Sequence, residues 1–241
     1  VILNKNSTLQ AARLRSCLVE ARQPMSEFRV GYLFALLALI NLLPLGWIHA
    51  QERGHFVIDA GHGGRAPGSQ RDGILEKNLT LDLAKRIKKV LNGRGHSVTL
   101  TRETDIYVGL EEWAEIAKQI PGSIFLCLHF NSHTDRSVRG IETFYWPGSV
   151  EGQRLASYIQ GELGRRFVTR NRGFKPEQLK VLETTVGTAA LVECGFISNR
   201  WELQRCQSSW FKQVLAEEIA QALIRYQKLP KPPAAAKDLP A

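Results

Sequence analysis

The stretch Phe56-Val57-Ile58-Asp59-Ala60-Gly61-His62-Gly63-Gly64 limits the fold of this chain more than any other. The apolar run at 56–58 reads as a short buried strand, and three glycines around one histidine read as a turn. Such a strand delivers His62 to the rim of a sheet, and open α/β sheets place their chemistry outside the carboxyl ends of their strands. Glycines let backbone and ligand come close there. A lone histidine in a glycine turn fits a structural role equally well, so the case depends on what else converges on it.

The rest of the chain alternates between strand and helix patterns. A polar loop, 65–73, precedes a helical stripe of Leu79, Leu83, Ile87, Val90 and Leu91 that Gly93 and Gly95 close. Glu76 starts this helix within reach of the glycine turn, although the helix dipole alone would favour an acid in the first turn. Ser97–Thr101 reads as a second strand, followed by Arg102 and by a helix with Leu110, Trp113, Ile116 and Ala117 on one face. Ile124–Leu128 is the most apolar strand, expected at the centre of the sheet, and it runs into His129-Phe130-Asn131-Ser132-His133. Ile141–Trp146 reads as a strand nearer an edge, because Pro147 stops it. Leu155, Ile159, Leu163 and Phe167 mark a helix, and Arg165 to Lys175 form a basic stretch of the kind usually found on a solvated face. Ala189–Val192 is a short buried strand ending in Glu193, and a last helix runs from about Trp210 to Tyr226. The pattern predicts a single α/β domain over 51–228, with a twisted, mostly parallel sheet of about six strands and helices on both faces.

Composition sets further bounds. The formal charge of +9 points to an anionic partner. No compact Lys/Arg run with interleaved aromatics is present, so the expectation is no nucleic-acid partner. The sole methionine, Met25, precedes Arg29 and an apolar run from Tyr32 to Trp47 that ends at Ile48-His49-Ala50. That layout is a secretory signal peptide over 25–50, with 1–24 as an upstream segment outside the fold. An uncleaved membrane anchor is the alternative, and either reading puts 51–241 in the periplasm or outside the cell. Residues 229–241 are rich in proline and alanine and read as a disordered tail. Beyond the leader, Cys127, Cys194 and Cys206 are an odd number, and their apolar surroundings favour free buried thiols over disulfides.

Three strands thus end in His62, His129 and Glu193, and Glu76 begins the helix after the first. Parallel strands bring these four groups to one edge. Two imidazoles and one carboxylate are a standard catalytic zinc set, and a carboxylate outside the set can serve as base. No short HExxH motif is present, so position at strand ends carries this argument.

The motifs IDAGHGG (58–64), LEKNLTLDLAKRI (75–87), TR (101–102), LHFNSH (128–133), GIETFYW (140–146) and ALVECGFISN (190–199) together resemble, in order, the zinc-dependent N-acetylmuramoyl-L-alanine amidases of the cell-separation and phage-lysin type. The resemblance covers roughly 54–226. It implies one zinc held by His62, Glu76 and His129, with Glu193 as the acid/base for a zinc-activated water. The implied substrate is peptidoglycan, cut between N-acetylmuramic acid and L-alanine by a monomer that meets the membrane only through its N-terminal signal. Asn131, Arg172 and Lys175 are the expected substrate contacts, Arg172 and Lys175 because they match basic positions of the family. His133 has no ligand role by this match. Ala60 stands where a proline is common and Cys194 where an aliphatic is common. A zinc peptidase cutting elsewhere in the stem peptide, or a wall-binding module without catalysis, would share many of these features. Some family members carry a helical plug over the zinc; 147–187 has room for one crossover helix and little more, which predicts an open cleft.

Overall fold

The structure, a computed structural model, describes residues 54–230 apart from Val168 and Val186. The expected upstream segment 1–24, the signal-like segment 25–50 and nearly all of the tail 229–241 lie outside the described residues. Among the described residues, no helix is long and apolar enough to cross a membrane.

Six strands form the main sheet: β1 (His55–Ala60), β4 (Ser97–Leu100), β5 (Ile124–Asn131), β6 (Ile141–Tyr145), β7 (Asn171–Pro176) and β8 (Thr188–Phe196). A two-stranded hairpin of β2 (Gln70–Arg71) and β3 (Ile74–Leu75) stands apart inside the expected loop. The helices are α1 (Glu76–Gly93), α2 (Leu110–Lys118), α3 (Val150–Arg166), α4 (Lys180–Thr184), α5 (Arg200–Gln207) and α6 (Ser209–Gln227). The main sheet has the order β4-β1-β5-β8-β6-β7. The β4, β1, β5 and β8 strands run parallel, β6 pairs antiparallel with β8, and β7 runs parallel to β6. The sheet is therefore mostly parallel, with helices on both faces, as the strand–helix alternation predicts.

The two-residue period of the strands sorts their side chains between two cores. Phe56, Ile58, Leu126, Leu128, Ala190 and Val192 face the larger core, where the apolar sides of α1, α3 and α6 cover them. Val57, Phe125, Cys127, Ala189 and Leu191 face a smaller core closed by Ala117 of α2 and by Val181 and Leu182 of α4. His129 and Glu193 continue this second set. They emerge beyond its last apolar layer, where no helix covers the strand ends. Cys194, one residue on, points to the opposite face and packs in the larger core, so period 2 keeps its thiol away from Glu193. All three thiols are free and buried.

Ile141–Tyr145 lies nearer an edge, as expected, but other elements depart from the sequence expectation. The edge itself is β7, formed by the basic stretch expected on a solvated face. Its edge position explains how Gly173 and Pro176 fit, since an edge strand needs fewer ladder bonds. Gln160 of α3 ties the pair together by donating to the Ile141 carbonyl (2.8 Å) and to Asn171 Oδ1 (2.7 Å). Helix α5 lies in a segment with no helical apolar stripe. It forms because Asn199 caps it, accepting from the backbone N–H groups of Trp201 and Glu202.

Arg102 does the joining at the carboxyl edge. Only 2 % exposed, it donates through Nε to the Ala60 carbonyl (2.8 Å) and through Nη2 to the carbonyls of Gly61 (3.2 Å) and Lys77 (2.8 Å). Thr80 Oγ1 also donates to the Gly61 carbonyl at 2.7 Å. The end of β1 and the first turn of α1 are thereby fixed to each other. Replacing Arg102 with Met strands several buried carbonyls, each costing about 1–3 kcal/mol. We expect Arg102→Met to lower the unfolding free energy by about 3 kcal/mol or more in urea titrations; a loss under about 0.5 kcal/mol would show that the turn holds without it.

Candidate functional site

His62 leaves β1 in a left-handed conformation (φ 66°), which turns its ring back over the sheet edge. Gly61 before it has no room for a side chain: a Cβ there would lie 2.5 Å from His129 Nε2 and 2.6 Å from the Leu128 carbonyl oxygen. Gly68 is constrained in the same way, since a Cβ would come 2.6 Å from Glu76 Oε2. The glycines of the expected turn and of the polar loop after it thus allow the histidines and Glu76 to approach one another.

Glu76 is the meeting point. It is 3 % exposed, and its Oε1 accepts from the Phe130 amide (3.0 Å) and lies 2.8 Å from His129 Nδ1. Its Oε2 accepts from the Ser69 amide (2.8 Å) and lies 3.2 Å from His62 Nε2. The two imidazoles meet edge to face with ring centroids 4.8 Å apart. Potential ligand atoms of His62, Glu76 and His129 all lie within 4.8 Å of one another. Two imidazole nitrogens and one carboxylate form the mixed donor set that suits zinc, so the residues present fit the expected ion. Burial opposes the Glu76 charge, but hydrogen bonds from the His129 and His62 rings outweigh it and hold the carboxyl well below its ordinary range. Burial likewise opposes charge on His129, but the bond to Glu76 and the nearby Glu193 raise its pKa overall.

Glu193 sits one strand over, paired in register with His129 on one side and with Glu142 on the other. Its Oε2 is buried with no hydrogen-bond partner among the described residues. Burial comes first in pushing its carboxyl up to about 8, Glu76 and Glu142 add to the rise, and His129 opposes it. A dication among the three neighbouring ligands would draw the group back toward its ionised form.

Glu142 is a site residue that the sequence reading missed. It is 3 % exposed, and the three expected substrate contacts all converge on it. Asn131 Nδ2 donates to its Oε1 (3.0 Å), and Arg172 Nε (3.0 Å) and Lys175 Nζ (2.7 Å) reach its Oε2. Strand ends were the search rule, and β6 runs against its neighbour, so its second residue, not its last, comes level with Glu193. An acid between Ile141 and Phe144 in an otherwise apolar strand was the available signal. The guanidinium of Arg172 also stacks over Phe196, 5.0 Å from the ring centroid. His133 is exposed, as expected of a rim residue; its amide donates to Ser198 Oγ and its Nδ1 accepts from the Asp135 amide. A cavity of about 730 Å³ opens at the amino ends of the strands, beside Gly54, Gly122 and Gly187, at the opposite edge from this cluster.

A single α/β domain with a His–Glu–His cluster and a buried free carboxylate at its carboxyl edge is the class that fold and site define. Residues 56–225 match the family described as N-acetylmuramoyl-L-alanine amidase, and the chain belongs to that family. It is 32 % identical over 173 residues to N-acetylmuramoyl-L-alanine amidase LytC of Bacillus subtilis, a match covering 71 % of this chain and 35 % of that protein. It is 32 % identical to the probable cell wall amidase LytH of Staphylococcus epidermidis, covering 70 % of this chain and 57 % of that one. The chain thus spans between about a third and three fifths of these relatives. Among solved structures, N-acetylmuramoyl-L-alanine amidase AmiC2 of Nostoc punctiforme superposes with a TM-score of 0.69 at 31 % identity, covering 73 % of this chain and 98 % of that one.

The raised Glu193 pKa has a consequence for the metal-free protein. Below its ordinary value of 4.5 both folded and unfolded states hold the proton. Between 4.5 and about 8 the unfolded chain has released it and the folded chain has not, so stability falls as pH rises; above 8 the penalty is constant. Urea unfolding of the chelated protein should show this decline, and Glu193→Gln should flatten it and be the more stable form at alkaline pH. Equal slopes for the two proteins would show that Glu193 is ionised throughout.

Proposed function

We propose that this chain is a zinc-dependent peptidoglycan amidase. It hydrolyses the amide between the lactoyl group of N-acetylmuramic acid and L-alanine of the stem peptide, in the periplasm or outside the cell, as a monomer. The observation that carries this reading is the convergence of His62, Glu76 and His129 beside Glu193, whose Oε2 is buried and unpartnered, in a chain of the amidase family. His62, Glu76 and His129 would hold the ion. When bound, it supplies Lewis acidity, polarising the scissile carbonyl and lowering the pKa of water.

The chain's own groups divide the remaining work. Glu193 takes a proton from the attacking water as the new carbon–oxygen bond forms, and passes it to the leaving amine nitrogen as the carbon–nitrogen bond breaks. The Phe130 and Ser69 amides hold both oxygens of Glu76, which fixes that carboxylate toward the two imidazoles. Glu142 holds Asn131, Arg172 and Lys175 at the rim beside Glu193, and Lys175 remains 43 % exposed and able to meet a substrate carboxylate.

Ligand and base should separate experimentally. His62→Ala or His129→Ala should lose most metal affinity, and Glu76→Gln should weaken it. Glu193→Gln should keep the metal and lose hydrolysis by about a hundredfold or more. Metal content by plasma emission, together with mass spectrometry of products from purified peptidoglycan, reads both effects. Fragments cut within the stem peptide would replace the amidase reading with a peptidase.

The cleft should also be open. Helix α3, β7 and α4 account for most of 147–187, and three of the four acids there are engaged elsewhere: Glu151 with Arg154, Glu162 with Arg165 and Glu183 with Lys180, while Glu177 lies exposed just after β7. None of them belongs to the metal-ligand cluster among the described residues. Residues 51–241 alone are therefore expected to release peptidoglycan fragments. Negligible turnover that rises many-fold after trimming within 147–187 would reveal a plug.

A further inference from the structure

A surface hollow of about 1360 Å³ adjoins the candidate site but is not part of it. Seven of its fourteen lining residues are arginines, against two acids. One of those acids, Glu202, is buried and consumed internally: it accepts from the amides of Gly140 and Phe196 and from Thr169 Oγ1. The floor therefore presents an unbalanced positive charge. Arg136, Arg139 and Arg200 are exposed and make no side-chain hydrogen bond or ion pair among the described residues. Arg71 pairs with Asp72 through Nε (3.4 Å), while its Nη1 is buried without a hydrogen-bond partner. Trp201 stands beside them, 70 % exposed, at the start of α5. The three unpaired guanidiniums lining one hollow repel one another and the other arginines beside them, and an anionic ligand relieves that cost.

The hollow is continuous with the candidate site. Arg172 lines it and also bonds Glu142, which pairs in register with Glu193. A smaller hollow of about 410 Å³, lined by Ser132 and His133 just beyond His129, shares Arg71 and Arg136 with it. Together they form a basic groove leading away from the His–Glu–His cluster along the carboxyl edge.

We infer that this groove is an extended substrate subsite that binds the free carboxylates of stem peptides next to the one being cut, with Trp201 packing on an adjacent sugar ring. The inference rests on the peptidoglycan reading above. Guanidinium groups match carboxylates in a two-point fork, and a row of them suits a polymer with regularly repeated acids. Trp offers a large flat apolar face at little entropic cost, and an exposed one in a charged groove marks a contact surface. The groove's function is then to select polymer over fragment, since a short muramoyl peptide reaches the cluster without filling it.

The test uses the full chain carrying R136Q, R139Q and R200Q together, and separately W201A. None of these four side chains makes a hydrogen bond or ion pair that the fold depends on, and glutamine adds no repulsion. Sedimentation with purified sacculi, run in a Glu193→Gln background so that nothing is cleaved, should show the triple variant binding about tenfold more weakly, and W201A weaker too. Sacculi whose free carboxylates have been converted to amides should bind the unmodified groove equally poorly. In the active background, KM on sacculi should rise about tenfold with kcat little changed, while turnover of a soluble muramoyl tripeptide stays the same. Undiminished binding of the triple variant, or full affinity for the amidated sacculi, would overturn the proposal. Full affinity for amidated sacculi combined with competition by polyphosphate would assign the groove to a phosphate polymer instead. The two proposals can fail separately: arginine-dependent sedimentation without any cleavage by the unmodified chain would keep the groove and remove the amidase, and cleavage with no arginine dependence would do the reverse.

Discussion

The carboxylate of Glu76 is the interaction on which the candidate site depends. It begins α1, accepts amides from the loop before the hairpin and from the end of β5, and meets the two histidines that β1 and β5 supply. Four segments, the β1 turn, the loop at Ser69, the start of α1 and the end of β5, are thereby referred to one buried anion. A buried carboxylate without such donors would be neutral or would not be buried. Here the amides and imidazoles stabilise the charge, and the charge orders the imidazoles. Arg102 supports the arrangement from below by fixing the carbonyls of the β1 turn to the first turn of α1.

Next to this ionised group lies one whose environment pushes the other way. Glu193 is partly buried, with its Oε2 enclosed but receiving no hydrogen bond, and two like charges flank it. Two carboxylates a few residues' width apart thus have opposite tendencies, one held charged and the other held neutral until a cation arrives. Such divergence between neighbouring titratable groups separates a ligand from a proton carrier. The same edge also gathers a charge pattern that the His–Glu–His cluster does not need, the arginine groove, and gives the protein's net positive charge a location.

The strand–helix alternation, the central position of Ile124–Leu128 and the four chemical groups at strand and helix ends were all legible in the sequence. Each depends on local rules: apolar runs of strand length, glycine turns, and an acid in a first helical turn. What escaped depended on pairing. The antiparallel course of β6 brings Glu142 level with Glu193, and no local pattern in Gly140–Trp146 specifies which way that strand runs. The basic stretch at 170–175 looked like solvated surface because its charges and Gly173 hide a strand that exists only as the partner of β6. Helix α5 lacks an apolar stripe and depends on a cap supplied by Asn199.

The sequence by itself thus determined the elements, their order and the identity of the chemistry-bearing residues, because hydrophobic period and turn chemistry act over a few residues. The tertiary structure alone decided which residues face one another. It turned Cys194 away from the site and gathered Asn131, Arg172 and Lys175 around Glu142. It also collected arginines from four separate stretches, 71, 136–139, 170–172 and 200–205, into one groove. No run of basic residues announces that groove, since its charge density arises where the β2–β3 hairpin, the loop after β5, the start of β7 and α5 come together at the sheet edge, and proximity between distant segments is a property of the folded sheet and not of the chain.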